Sequence, residues 1–124
     1  MACRITELVL DCADPGRLAA FWGEVLGYVE LGREEDGSIE IGPPGGGPQP
    51  TLILSPGTDP RPGKLPLHLD VNATDRDQAA ELERLLALGA RAADVGQSGE
   101  ESRHVLADPE GNVFCLLRSR VPPV

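Results

Sequence analysis

Aromatic side chains are scarce: two Phe, one Trp and one Tyr in 124 residues. That is too few to build a stacking groove for a large planar ligand. Basic residues are also outnumbered, with Lys plus Arg at 11 against Asp plus Glu at 20, for a net charge of −9. A surface of that sign repels phosphate backbones and excludes nucleic acid as a partner, while favouring cationic ligands. The three cysteines, Cys3, Cys12 and Cys115, are an odd number with no C-x-x-C pair. A disulfide framework is thereby excluded, and a reducing cytoplasm is the expected compartment. Long apolar runs are missing as well. The longest, Val113 to Leu117, falls far short of the ~20 residues that span a bilayer. The opening residues, Met1 to Ile5, show no apolar signal region, so neither membrane nor export is expected.

What is present is ordinary globular material, 40% hydrophobic and 25% charged, in a length that suits one domain. The chain carries a weak internal repeat. Glu7-Leu8-Val9-Leu10 and His68-Leu69-Asp70-Val71 are both strand-like. Each leads into an acidic helix start, at Asp14 and at Asp75, and each helix ends in Leu-Gly, at Gly27 and at Gly89. The matching points lie about 61 residues apart.

The first helix is clearly punctuated. Asp14 suits the N-cap, Pro15 the first helical position and Gly27 the left-handed end. Leu18, Phe21, Trp22, Val25 and Leu26 fall on one apolar face, with Trp22 expected in the core. The second helix is expected to start at Thr74 or Asp75, with Thr74 and Asp77 as a capping box and Ala79, Leu82, Leu85 and Leu86 as its stripe. Three strand candidates follow each helix. They are Tyr28–Arg33, Ser38–Ile41 and Thr51–Ser55, then Ala90–Val95, Arg103–Ala107 and Val113–Arg118. Asp36-Gly37 and Asp108 to Asn112 read as turns, the latter needing Gly111 for its backbone shape. The order is β-α-β-β-β, twice: an α+β fold of two modules, 1–55 and 65–120, joined by a Pro/Gly linker over 56–64 within one domain, 1–124. The Pro/Gly stretch 42–50 is a loop, either a surface insertion or a lid over a ligand site.

Alternation assigns faces. Leu8, Leu10 and Cys12 oppose Ile5, Glu7, Val9 and Asp11. Leu67, Leu69 and Val71 oppose Pro66, His68 and Asp70. The apolar sets are expected to pack on the helices, leaving Glu7, His68 and Asp70 on the opposite faces. The last strand is apolar on both sides, Phe114 and Leu116 against Val113, Cys115 and Leu117, so it belongs deep in the fold. Arg103 and His104 are neighbours on a strand and face opposite ways.

The string Ala107-Asp108-Pro109-Glu110-Gly111-Asn112-Val113-Phe114-Cys115-Leu116 resembles the D-P-x-G-N ending of the vicinal oxygen chelate superfamily, which includes glyoxalase I and the bleomycin-resistance proteins. Val9 to Pro15, then Leu18 to Trp22 and Leu26-Gly27, is similar to that superfamily's opening strand and helix. His68 to Val71 with Leu88-Gly89-Ala90-Arg91 is similar to the start of its second module. The likeness is to the glyoxalase-like domain branch. It implies curved sheets forming a cup with the helices outside. In the metal enzymes of the superfamily, ligands converge in that cup. Carried over by position, they fall on Glu7, on Ile53 or Ser55, on His68 and on Cys115. A thiolate suits zinc, but a hard metal would want a carboxylate where Cys115 stands, and a fourth ligand is missing.

The leading expectation is therefore a cytoplasmic small-molecule-binding protein, a homodimer, in a sequestration or resistance role and without an essential metal or other cofactor. Glu7, His68, Asp70, Arg103 and Cys115 are its candidate ligand contacts. The alternative is a lyase or isomerase acting next to a carbonyl, with Glu7 as base and His68 polarising the oxygen, a divalent metal staying open. Plain structural roles stand beside these. Cys115 can be a small buried hydrophobe, His68 a half-buried histidine bonded to Glu7 or Asp70, and Arg103 an exposed strand residue.

Overall fold

A computed structural model describes residues 2–57, 65–94 and 102–123. The chain divides into two compact units, Met1–Pro60 and Arg61–Val124. The first runs β1 (Glu7–Cys12), α1 (Pro15–Leu26), β2 (Val29–Arg33), β3 (Ile39–Gly42) and β4 (Thr51–Pro56). The second runs β5 (Leu69–Val71), α2 (Gln78–Leu88), β6 (Arg91–Ala92), β7 (His104–Ala107) and β8 (Val113–Leu116). Each unit holds one four-stranded sheet, ordered β1-β4-β3-β2 and β5-β8-β7-β6. In both, the first and last strands of the unit pair in parallel and the other pairs are antiparallel. The two βαβββ modules expected from the repeat are thus present, in an α+β fold. The expected linker 56–64 lies largely outside the described residues, as does Val95 at the end of one strand candidate.

The first module follows its sequence closely. The Asp14 carboxylate accepts the Arg17 N–H at 3.1 Å, and Gly27 closes α1 at φ 68°. Leu18, Phe21 and Trp22 are buried, and α1 lies on β3 and β4. On those strands Ile39, Ile41, Leu52 and Leu54 are all nearly inaccessible. Each such side chain contributes about 1.5–3 kcal/mol when buried. Trp22 is a core residue, set edge-on to Phe21 with ring centroids 5.2 Å apart.

The second module corrects three expectations. Asp77 caps α2, accepting the Ala80 N–H at 2.8 Å, and the helix begins at Gln78 rather than at Thr74 or Asp75. Residues 74–76 instead bend, with Arg76 drawn to Asp75 and towards Glu81. The later start also moves the stripe. Leu85 is fully buried, but Leu86 and Ala79 are exposed, and Glu81 is buried in their stead. Its carboxylate is tolerated because Arg84 grips both oxygens, at 2.7 and 3.0 Å. Strand β5 is shorter than expected too, so Leu67 stands outside the sheet and 72% exposed.

The last strand lies where its two apolar faces require. It sits between β5 and β7, with Phe114, Cys115 and Leu116 buried. The turn before it is built on Asp108, which is fully buried. Its carboxylate accepts from the backbone N–H groups of Glu110 and Asn112 and from the Asn112 amide. Gly111 adopts φ 89° there, a region that an L side chain rarely enters.

Candidate functional site

Register decides which side chains share a face. In the second sheet Asp70 stands beside Cys115, and Cys115 beside Val105. His68, two residues before Asp70, falls on the same face, as does Arg103, two residues before Val105. His104 belongs to the opposite face, in the row of Leu116 and Val71. Of these two neighbours it is therefore Arg103 that shares the face of Cys115.

On this face the chemistry converges. His68 Nε2 is 3.2 Å from Asp70 Oδ1. Donor atoms of His68, Asp70 and Cys115 all lie within 4.8 Å of one another. His68 and Asp70 are accessible, whereas Cys115 is buried. Burial pushes the Cys115 thiol up from its ordinary value, and the Asp70 carboxylate adds to this. The Arg103 guanidinium, in hydrogen-bonding reach of the sulfur, offsets part of it. Cys115 is thus a protonated thiol at neutral pH, between an acceptor carboxylate and a donor guanidinium.

One residue that sequence reasoning missed helps to place Arg103. At the start of α2, Gln78 Nε2 donates to the Ser102 carbonyl at 2.9 Å and to the Leu116 carbonyl at 3.3 Å. It ties the entry of β7 to the end of β8. Nothing in the local sequence marks a glutamine for that task, since its two partners are 24 and 38 residues away.

The equivalent face of the first sheet is different. Glu7, Val9 and Asp11 are exposed on β1, as their alternation with Leu8, Leu10 and Cys12 requires. Their row partners are Thr51, Ile53 and Ser55. Thr51 Oγ1 donates to Glu40 at 2.7 Å, and the Ser38 and Ser55 hydroxyls are 3.3 Å apart. By register, the counterparts of Asp70 and Cys115 are Val9 and Ile53, both without donor atoms. Only Glu7, the counterpart of His68, repeats the polar character. The His–Asp–Cys set belongs to the second unit.

A shallow groove of about 260 Å³ lies on the helix side of the first unit, lined by residues that include Ala19, Ala20, Gly23, Tyr28, Glu30 and Arg33. It contains none of the expected site residues, and the exposed Glu30–Arg33 pair closes on itself at 2.8 Å. Nearby, the Pro/Gly loop is tethered by Tyr28, whose hydroxyl donates to the Pro50 carbonyl at 2.7 Å.

The comparisons with known proteins agree with this architecture. No curated protein matches the chain. Among solved structures, a glyoxalase-related enzyme from Fulvimarina pelagi is similar at 18% identity and a TM-score of 0.63, over 91% of this chain and 86% of that one. A protein described as a possible glyoxalase from Bacillus cereus is similar at 16% identity and 0.67, over 94% and 99%. A substituted form of the fosfomycin resistance protein FosX from Listeria monocytogenes, complexed with Mn(II) and 1S,2S-dihydroxypropylphosphonic acid, is similar at 16% identity and 0.71, over 98% and 95%. At these identities the likeness is one of fold. The family model described as glyoxalase-like domain matches residues 7–117, nearly the whole chain. With its two βαβββ modules, the chain belongs to the glyoxalase-like domain family.

Proposed function

We propose that this chain is a small-molecule-binding protein, in a sequestration or resistance role, that works without an essential metal. The observation that carries the reading is the set His68, Asp70, Cys115 and Arg103 on one face of the second sheet. It offers an imidazole, a carboxylate, a thiol and a guanidinium within reach of one compact ligand. Glu7, the counterpart of His68 in the first unit, is a candidate contact through the resemblance alone. The FosX relative holds a small phosphonate with Mn(II). Manganese is a hard cation that prefers oxygen donors. A site with one imidazole, one carboxylate and one soft sulfur does not fit it, so no step is assigned to that ion. The same reading makes the chain one domain of two modules and a cytoplasmic homodimer. Among the described residues no helix is long and apolar enough to cross a membrane.

Calorimetric titration of the full chain with compact cationic, neutral and anionic compounds tests the reading. Saturable binding to one class is expected, weakened about tenfold, or ~1.4 kcal/mol, by His68→Ala. Silence across the whole panel removes it.

A second reading, a lyase or isomerase acting next to a carbonyl, is favoured by the His68–Asp70 contact, because a carboxylate at 3.2 Å orients an imidazole for proton transfer. There Glu7→Gln abolishes turnover and spares affinity. A variant that keeps full turnover ends the assignment of Glu7 as base.

A further inference from the structure

A side chain already in the site carries a positive charge, as a bound metal ion would. His68, Asp70 and Cys115 present three donor atoms within 4.8 Å of one another. An imidazole, a carboxylate and a sulfur are together a set that zinc or cobalt accepts. Val105 pairs with Cys115 across the β7–β8 ladder, which puts Arg103, two residues earlier, diagonally beside Cys115 on the same face. Gln78 holds the preceding Ser102 carbonyl at 2.9 Å, so the root of that side chain is fixed. A guanidinium stays charged across the physiological range and cannot be neutralised to make room for another cation.

We propose that Arg103 takes the place of a metal ion here: its guanidinium bars divalent cations from the His68–Asp70–Cys115 donors. A dication bound to these donors would have to remain beside the Arg103 guanidinium, whose positive charge already acts on the sulfur. The carboxylate of Asp70 supplies one negative charge to the cluster, and Arg103 already balances it. The proposal deepens the metal-free reading above and rests on it only for which site is meant.

Cobalt(II) is the probe, because a sulfur ligand gives it a near-ultraviolet charge-transfer band that needs no turnover. Full-length wild type is expected to show no such band. Arg103→Met and Arg103→Gln are expected to acquire it at one cobalt per chain, with affinity raised on the order of tenfold or more. Arg103→Lys, which keeps the charge, stays without it, and Arg103→Met combined with Cys115→Ser loses it. Zinc should compete the band away. Arg103 is exposed, and two neutral replacements guard against one misfolding. A band in wild type or in Arg103→Lys overturns the proposal, as does its absence from both neutral variants. The absorption is read without any organic ligand, so its failure is distinct from a silent calorimetric panel.

Discussion

His68, just before the strand that opens the second module, and Asp70, within it, face each other across 3.2 Å. Both are more than one-third exposed, so solvent screens the contact and it contributes little to folding, about 0–1 kcal/mol. Its value lies in orientation. Asp70→Asn is therefore expected to leave the thermal midpoint nearly unchanged while weakening ligand binding about tenfold, or ~1.4 kcal/mol. Parallel thermal melts and calorimetric titrations check this. A large loss of stability would make the pair a structural element.

The Asp108 turn is expected to behave in the opposite way. Its carboxylate is fully buried and accepts from two backbone N–H groups and one side-chain amide. Asp108→Ala leaves those donors unsatisfied. A loss of about 3 kcal/mol is expected in chemical denaturation.

The caps of the second helix offer a direct comparison. Asp77→Ala should cost about 1 kcal/mol, because it removes the acceptor of the Ala80 N–H. Thr74→Ala should cost only a few tenths of a kcal/mol, since that residue sits in an exposed bend before the helix. Denaturation midpoints of the two variants, compared side by side, read the difference.

The thiols should separate by rate and by pH. Cys3 is exposed, whereas Cys115 is buried and its thiol is raised by burial and by Asp70. Alkylation followed by mass spectrometry is expected to modify Cys3 early and Cys115 late, with Cys115 responding only above the range of a free cysteine. The sign of the linkage follows. The folded state favours the neutral thiol, so this contribution to stability is complete below the ordinary thiol value. It is lost as pH rises through the raised one. Cys115→Ser should flatten that alkaline decline in melting experiments.

Most of the fold was legible in the order of residues, because its signals are local. Asp14-Pro15 and Gly27 bracket a helix through backbone groups one turn away. Alternation along β1 separates Leu8 and Leu10 from Glu7 and Val9 within six residues. The start of α2 was less legible, since Thr74, Asp75 and Asp77 all suit a cap and only the bend at residues 74–76 chooses among them. The buried Glu81 was not legible, because its tolerance depends on where Arg84 points.

For the candidate site the division is sharper. The types and faces of His68, Asp70 and Cys115 could be read from sequence, because a strand's side chains alternate by geometry alone. That Arg103 rather than His104 lies beside Cys115 depended on the pairing of Val105 with Cys115, a register between segments that no local pattern encodes. Sequence by itself determined the two modules, their caps and the alternating faces, since these follow from contacts within a turn or a strand. Only tertiary structure decided which four side chains of the second sheet share their chemistry, because hydrogen bonds between distant strands set that register.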